Sequence, residues 1–265
     1  MRVTESKASI ALSPSRLPGL DWALNPYRGC GHACVYCYSP DVLRLDGKEP
    51  WGSFVDVRRN LPVLLAREKK NRAGVVGIGT VTDPYQPLEE KAMLTRYCLE
   101  QLAAGDCTVC IQTKSDLVIR DIDILRKMKE PEVGLTVTTM DAELAGRLEP
   151  GAPPPARRIA ALGKLSDAGI STWLFLGPVI PGLNDGTGQL AEVIEAAKAG
   201  GCRKVMYDRL RLKPMVLERM RKWMGQAESD RVFGLAGDSA WQARVSAEIE
   251  KLCNDAGIVA EKSFR

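Results

Sequence analysis

The sequence predicts an α/β chain whose core is a partial, open parallel α/β barrel of about six βα units. Two recurring patterns predict it. Helical segments close on an Ala-Gly pair, at Ala104-Gly105, Ala168-Gly169, Ala199-Gly200 and Ala256-Gly257, and an apolar, β-branched run follows within a few residues. Glycine just past a helix end is the expected left-handed stop, so each pair marks a helix-to-strand junction. The runs are Val75 to Val81, Thr108 to Gln112, Gly134 to Thr138, Thr172 to Leu176 and Lys204 to Met206. Their near-continuous apolar character suits strands covered on both faces by helices. Trp22-Ala23-Leu24 adds a first short strand. A doubly wound open sheet fits the same pattern and is the alternative.

With 265 residues and 45% hydrophobic content, the chain can bury a large core without staples. Residues 1–18 are polar and carry two prolines, which reads as an extended arm; residues 19–265 read as one domain with a decisive loop at 25–40. Residues Asp41 to Gly52 are of mixed, loop-like composition, and Leu61 to Lys70 is a helix with Leu61, Leu64 and Leu65 on one face. The last helix, about Ser239 to Asn254, places Trp241, Val245, Ile249 and Leu252 at helical spacing. Met1 to Arg16 contains no apolar core segment, so no signal peptide is expected, and no apolar run reaches membrane-spanning length. Eight cysteines without the spacing of a disulfide framework suit a reducing, cytoplasmic setting. The net charge of +4 is compatible with an anionic partner without requiring one.

The most informative stretch is Asn25 to Tyr38, which holds Cys30, Cys34 and Cys37 at C-x3-C-x2-C spacing in a Gly-rich, turn-prone run. So few intervening residues let three thiolates converge on one centre. Structural zinc and ordinary ferredoxin clusters use four protein ligands, whereas three leave one metal position open for a reacting molecule. His32 could complete a Cys3His zinc site, or face away as a supporting group. Polar words follow the apolar runs at Thr82-Asp83, Lys114-Ser115, Thr138-Thr139, Asn184-Asp185 and Tyr207-Asp208. In parallel α/β folds such strand ends converge on one mouth.

The cysteine motif, with an aromatic residue just before its third cysteine, resembles the cluster motif of the radical S-adenosylmethionine (radical SAM) enzymes. The surrounding words are Val81 to Pro87, Thr113-Lys114-Ser115 with Arg120-Asp121-Ile122-Asp123, Leu148-Glu149-Pro150, and Pro178 to Asp185. Together they resemble the spore photoproduct lyase-like (SPL family) branch over nearly the whole chain. That resemblance implies a six-unit partial barrel, the radical SAM core, with a [4Fe-4S] cluster on Cys30, Cys34 and Cys37 and S-adenosylmethionine on the open iron. It implies reductive cleavage to methionine and a 5′-deoxyadenosyl radical that takes hydrogen from a substrate, in a lyase or another radical-initiated reaction. An electron donor of flavodoxin or ferredoxin type is also implied.

By position, the resemblance places Thr82 and Asp83 where the family binds the amino group of the cofactor, although the usual Gly-Gly-Glu is absent. Lys114, Ser115, Thr138 and Thr139 fall where its carboxylate and ribose would be held. Arg158 is the expected carboxylate partner, with Arg157 as competitor, and Val179 within Gly177 to Asp185 is the expected adenine contact. Tyr36 and Tyr38 match tyrosines implicated in returning hydrogen to the product; shielding of the cluster is the other role for Tyr36. No cysteine matches a hydrogen donor.

Between Arg203 and Lys222 lie eight basic residues, with Arg209, Arg211 and Lys213 alternating with Leu210 and Leu212, which an extended segment would point one way. Such a strip could grip nucleic-acid phosphates or another anionic substrate, or be a solvated edge. Nucleic acid, peptide and small metabolite rank close as substrates, with nucleic acid first by family analogy alone. The competing readings are an iron-sulfur protein for electron transfer or sensing without cofactor cleavage, and a zinc protein.

Overall fold

The computed structural model describes residues 1–68 and 73–263. Its N-terminal stretch contributes β1 (Arg2–Ser6) and β2 (Ser13–Pro14), followed by β3 (Trp22–Leu24), β4 (Tyr27–Arg28), the short α1 (Ser39–Val42) and β5 (Phe54–Arg58). β1 and β4 flank β5 in a small three-stranded sheet, parallel on the β1 side and antiparallel on the β4 side. The loop carrying the three cysteines leaves this sheet directly after β4.

Next come α2 (Leu61–Glu68), β6 (Val75–Ile78), α3 (Glu89–Ala92), α4 (Leu94–Leu102), β7 (Thr108–Thr113), a 3₁₀ turn at Asp116–Asp121, and α5 (Ile122–Leu125). Then follow β8 (Glu132–Thr136), α6 (Ala142–Leu148), α7 (Pro155–Asp167), β9 (Ser171–Val179), α8 (Thr187–Ala199) and β10 (Lys204–Arg209). The chain closes with α9 (Pro214–Met224), α10 (Gln226–Gly237), α11 (Ser239–Ala256) and β11 (Val259–Lys262).

The large sheet runs β11-β10-β9-β8-β7-β6-β3-β2, with every neighbouring pair parallel except β2 with β3. From β3 to β11 each new strand is added on the same side as the one before. A doubly wound sheet reverses its order at a switch point, and no reversal occurs, so the singly wound, open-barrel arrangement is the one formed. The six expected strands are all present, and β11 extends the row. Among the described residues no helix is long and apolar enough to cross a membrane.

The boundaries moved for local reasons. β6 ends at Ile78 because Gly79, at φ 89°, turns the chain. β8 begins two residues before the expected Gly134 and β9 continues to Val179. Gly169 and Gly257 take the left-handed conformation past their helices, at φ 78° and 71°, but after α8 that role falls to Gly201 rather than Gly200. Helix α2 is described as far as Glu68; the expected Lys69 and Lys70 lie outside the described residues. β5 lay unread between the loop expected at Asp41 to Gly52 and α2.

Pairing of β8 with β9 sets Gly134 opposite Trp173, and a Cβ added at Gly134 would sit 2.3 Å from the Trp173 ring. Trp173 is 4% exposed and has no room to withdraw. Gly134→Ala is therefore expected to destabilise the fold by about 1–3 kcal/mol through overpacking, read as a lower denaturant midpoint at unchanged slope.

Candidate active site

All eight cysteines are free thiols, and only Cys30, Cys34 and Cys37 share a loop. Cys30 and Cys34 are buried and Cys37 half-buried. The three act on one another: burial raises the Cys30 thiol above its ordinary value, and Asp83, Cys34 and Cys37 raise it further. Burial likewise pushes Cys34 up to about 12, with Lys114 pulling it down and Glu149 and Cys37 raising it.

Irregular backbone needs partners from elsewhere, and the loop finds them on several elements. Gly29 O accepts from Thr82 Oγ1 at 2.7 Å and from Gln86 Nε2 at 3.3 Å, while Gly31 N donates to Gln86 Oε1 at 2.7 Å. Gln86, fully buried, thus clamps the first cysteine from both sides. Gly151 N donates to His32 O at 3.0 Å, and Val35 N to Leu148 O at 2.9 Å. That approach is so close that a Cβ on Gly151 would fall 2.1 Å from Gly31 O.

Asp83 fastens the loop to the end of β7. Its Oδ1 accepts from Thr113 Oγ1 at 2.6 Å and Tyr85 N at 2.9 Å; its Oδ2 accepts from Lys114 N at 2.8 Å and lies 3.2 Å from His32 Nδ1. Burial opposes the charge on Asp83, yet His32, Thr113 and the Lys114 amide hold the carboxyl down at about 2. His32, 1% exposed, directs Nδ1 at this carboxylate, so the ring supports the loop from outside the thiol set. Among the described residues no three His, Cys, Asp or Glu side chains converge tightly enough to share a single ion. A cluster, which takes each thiolate at a different iron, requires no such convergence.

A second buried carboxylate lies on the other side. Glu149, 1% exposed, pairs with Arg158 Nη1 and accepts hydrogen bonds from the Tyr36 hydroxyl and, at 2.7 Å, from Thr138 Oγ1. Burial works against its charge, but Arg158, Lys114, Tyr36 and Thr138 hold the carboxyl below its ordinary value. Lys114 Nζ stands over the Tyr36 ring, 5.6 Å from the centroid. Arg158 also donates to Pro153 O at 2.8 Å and Thr136 O at 3.1 Å, so its guanidinium is largely engaged within the protein.

Cys34, Tyr36, Lys114, Thr138, Glu149 and Arg158 are therefore one neighbourhood, reached by β7, β8 and the turn after α6. The other expected positions are placed differently. Ser115 caps the 3₁₀ turn by accepting from Leu117 N at 3.2 Å, and Thr139 Oγ1 accepts from Asp141 N at 3.1 Å. Val179, 1% exposed, ends β9 beside Leu210, whose N donates to Val179 O at 3.0 Å. Asn184 ties that strand end back to the neighbourhood, donating to Thr138 O at 2.7 Å. Tyr38 is 38% exposed and donates to Thr80 O at 3.3 Å. Arg157 pairs with Asp116 at the surface.

The basic segment does not form one strip. Arg203 and Lys204 stand at the start of β10, where Lys204 faces Glu132 at 3.6 Å, and Arg221 faces Asp230 at 3.6 Å. Arg211 pairs with Asp208 at 2.8 Å, and Arg219 turns toward the cysteine loop. Arg209 ends β10 beside Trp241 and Val245 of α11, half-buried, and Lys213 is exposed just before α9. The expected alternation fails because Leu210 is buried whereas Leu212 is 38% exposed.

Gln86, Glu149 and Arg219 have no role in the sequence reading. Gln86 and Glu149 stand inside words that drew attention; Arg219 was one of the eight basic residues between Arg203 and Lys222, with nothing to single it out.

A sequence model of the radical SAM superfamily matches residues 24–206. An uncharacterised protein of Methanocaldococcus jannaschii is 36% identical over 185 residues, which is 70% of each chain. One from Mycobacterium tuberculosis is 29% identical over 220 residues, covering 80% of this chain and 65% of its own length. Spore photoproduct lyase complexed with dinucleoside spore photoproduct superposes with a TM-score of 0.75 at 15% identity, over 99% of this chain and 82% of that one. SuiB of Streptococcus suis, bound to the precursor peptide SuiA, gives 0.63 at 14% identity, over 94% of this chain and 50% of that one. These two likenesses concern the fold, while the family match contains all three loop cysteines and the strand ends around them. The chain belongs to the radical SAM superfamily.

Proposed function

We propose that this radical SAM enzyme cleaves S-adenosylmethionine reductively at the Cys30-Cys34-Cys37 loop and directs the resulting chemistry at a nucleic acid. The observation that carries the first part is the donor set: three free thiols on one loop, with the five remaining cysteines elsewhere in the chain. Such a set fits a [4Fe-4S] cluster with one iron left for the cofactor. When bound, cluster and cofactor supply a 5′-deoxyadenosyl radical able to take hydrogen from an unactivated position.

The chain's own groups bind, orient and exclude water. Lys114, beside Cys34 and Glu149, is the cation best placed to take the carboxylate of S-adenosylmethionine; Ser115, Thr138 and Thr139, whose hydroxyls already serve Leu117, Glu149 and Asp141, would shape its ribose side through their strand ends, and the buried Val179 would back its adenine. Thr82, Asp83 and Arg158 spend their polar atoms on protein partners, so their contribution is to fix the loop and Glu149. Tyr36, with its hydroxyl on Glu149 and Thr138, serves as packing against the loop, which leaves the half-exposed Tyr38 as the residue to meet substrate and return hydrogen. Arg209 and Lys213 support the nucleic-acid reading, as does a fold shared with a lyase solved with a dinucleoside. An electron donor of flavodoxin or ferredoxin type would serve the loop in a reducing, cytoplasmic setting.

Anaerobically reconstituted and reduced protein is expected to form 5′-deoxyadenosine from S-adenosylmethionine, whereas Cys34→Ala forms none. Addition of oligonucleotide is expected to raise the yield, and Arg209→Ala with Lys213→Ala to abolish that rise. No nucleoside from a reduced cluster with cofactor bound, with or without oligonucleotide, would favour an electron-transfer or sensing role. Removal of one partner of a buried ion pair leaves the other charge uncompensated. Arg158→Met is therefore expected to cost about 3–5 kcal/mol even without cluster, measured by denaturant unfolding.

A further inference from the structure

Helix α9 lies beyond residues 24–206, the part of the chain that the superfamily model matches. It nevertheless reaches the cysteine loop. Arg219, at its middle, donates from Nε to Val35 O at 3.3 Å and from Nη2 to Cys37 O. Its guanidinium is half-buried, and Cys37, Asp41, Glu218 and Cys34 are the charged or ionisable groups acting on it. At the start of the same helix, Met215 N donates to Asp41 Oδ1 at 3.0 Å, so α9 grips the segment after the third cysteine at a second point. Val216 and Met220 of α9 and Val232 of α10 pack with Cys34 and Tyr36 in a small core separate from the main one. The helix is thus fixed by apolar contact, and Arg219 is the charged group it delivers.

A guanidinium is always charged, and its planar fork can hold two carbonyls that converge. Here the carbonyls belong to the third cluster ligand and to the residue two positions before it. Iron-sulfur potentials depend on net charge, hydrogen bonding and exposure around the cluster. A fixed cation at this place favours the reduced cluster, which carries one more negative charge. We propose that Arg219 is a positioning residue that ties the Cys37 end of the cysteine loop to the C-terminal helices and raises the reduction potential of the bound cluster. The inference rests on the cluster reading given above.

Two measurements on the full chain test it. In cluster-free protein, hydrogen exchange over Val35 to Leu43 is expected to accelerate in both Arg219→Gln and Arg219→Lys, because neither keeps the two-carbonyl fork; unchanged exchange would overturn the clamp. In reconstituted protein, a potentiometric titration followed by electron paramagnetic resonance separates charge from shape. Arg219→Lys is expected to keep the potential of the unmutated chain. Arg219→Gln is expected to lower the reduced-to-oxidised ratio about tenfold at the potential where the unmutated cluster is half reduced, equivalent to ~59 mV for a one-electron couple. An unshifted potential in Arg219→Gln would overturn the electrostatic part. Should Arg219→Gln hold no cluster while Arg219→Lys does, the exchange result decides the clamp, and a lowered potential in Arg219→Lys overturns the charge assignment. Failure of the unmutated chain to assemble any cluster would instead count against the proposed function, leaving the exchange result to judge the clamp.

Discussion

The rest of the structure depends on how one irregular loop is held. Residues 29–37 cannot satisfy their backbone by helix or ladder, because the cysteines must face inward together. Each buried amide or carbonyl left unpaired would cost about 1–3 kcal/mol. Partners therefore come from the turn after β6, the Leu148–Gly151 turn and helix α9: Thr82 and Gln86 on Gly29 and Gly31, Leu148 and Gly151 on Val35 and His32, Arg219 on Val35 and Cys37. The open barrel brings these distant pieces to one rim. A scaffold so arranged fixes three thiols in advance, which is what a site with one open iron position requires.

Two buried carboxylates complete the hold, and they do so by contrasting means. Asp83 gathers hydrogen-bond donors from the end of β7 and has the ring of His32 beside it, which together outweigh burial and keep it ionised. Glu149 gathers Arg158, Tyr36 and Thr138, so its charge is met chiefly by another buried charge. Both sit beside the thiols and add negative charge there. Lys114, over the Tyr36 ring and near Cys34, supplies a compensating cation beside them.

Much of this was legible in the sequence, and the unread part has physical causes. The β-branched runs and the Ala-Gly stops marked the parallel strands because helix ends and buried strands are local matters. The cysteine spacing announced its chemistry because ligands on one loop are also local. Arg158 was read as facing the cofactor, yet its partner Glu149 approaches only when the turn after α6 folds under the loop, which no spacing reveals. Tyr36 and Tyr38 look equivalent on either side of Cys37; burial of one hydroxyl on Glu149 and exposure of the other separate them. Three cations at alternate positions suggested a strip, but Asp208 captures Arg211 and the β10 end twists Leu212 outward. Arg219 was one cation among eight until α9 packed against the loop.

The central claim is that three loop thiolates hold a cluster whose remaining position receives S-adenosylmethionine. Its most direct test is the electron paramagnetic resonance spectrum of the anaerobically reconstituted, reduced chain before and after addition of the cofactor. The account predicts a four-iron cluster signal whose g-values shift when S-adenosylmethionine is added. A fully loaded cluster whose spectrum is unchanged at saturating cofactor would contradict it.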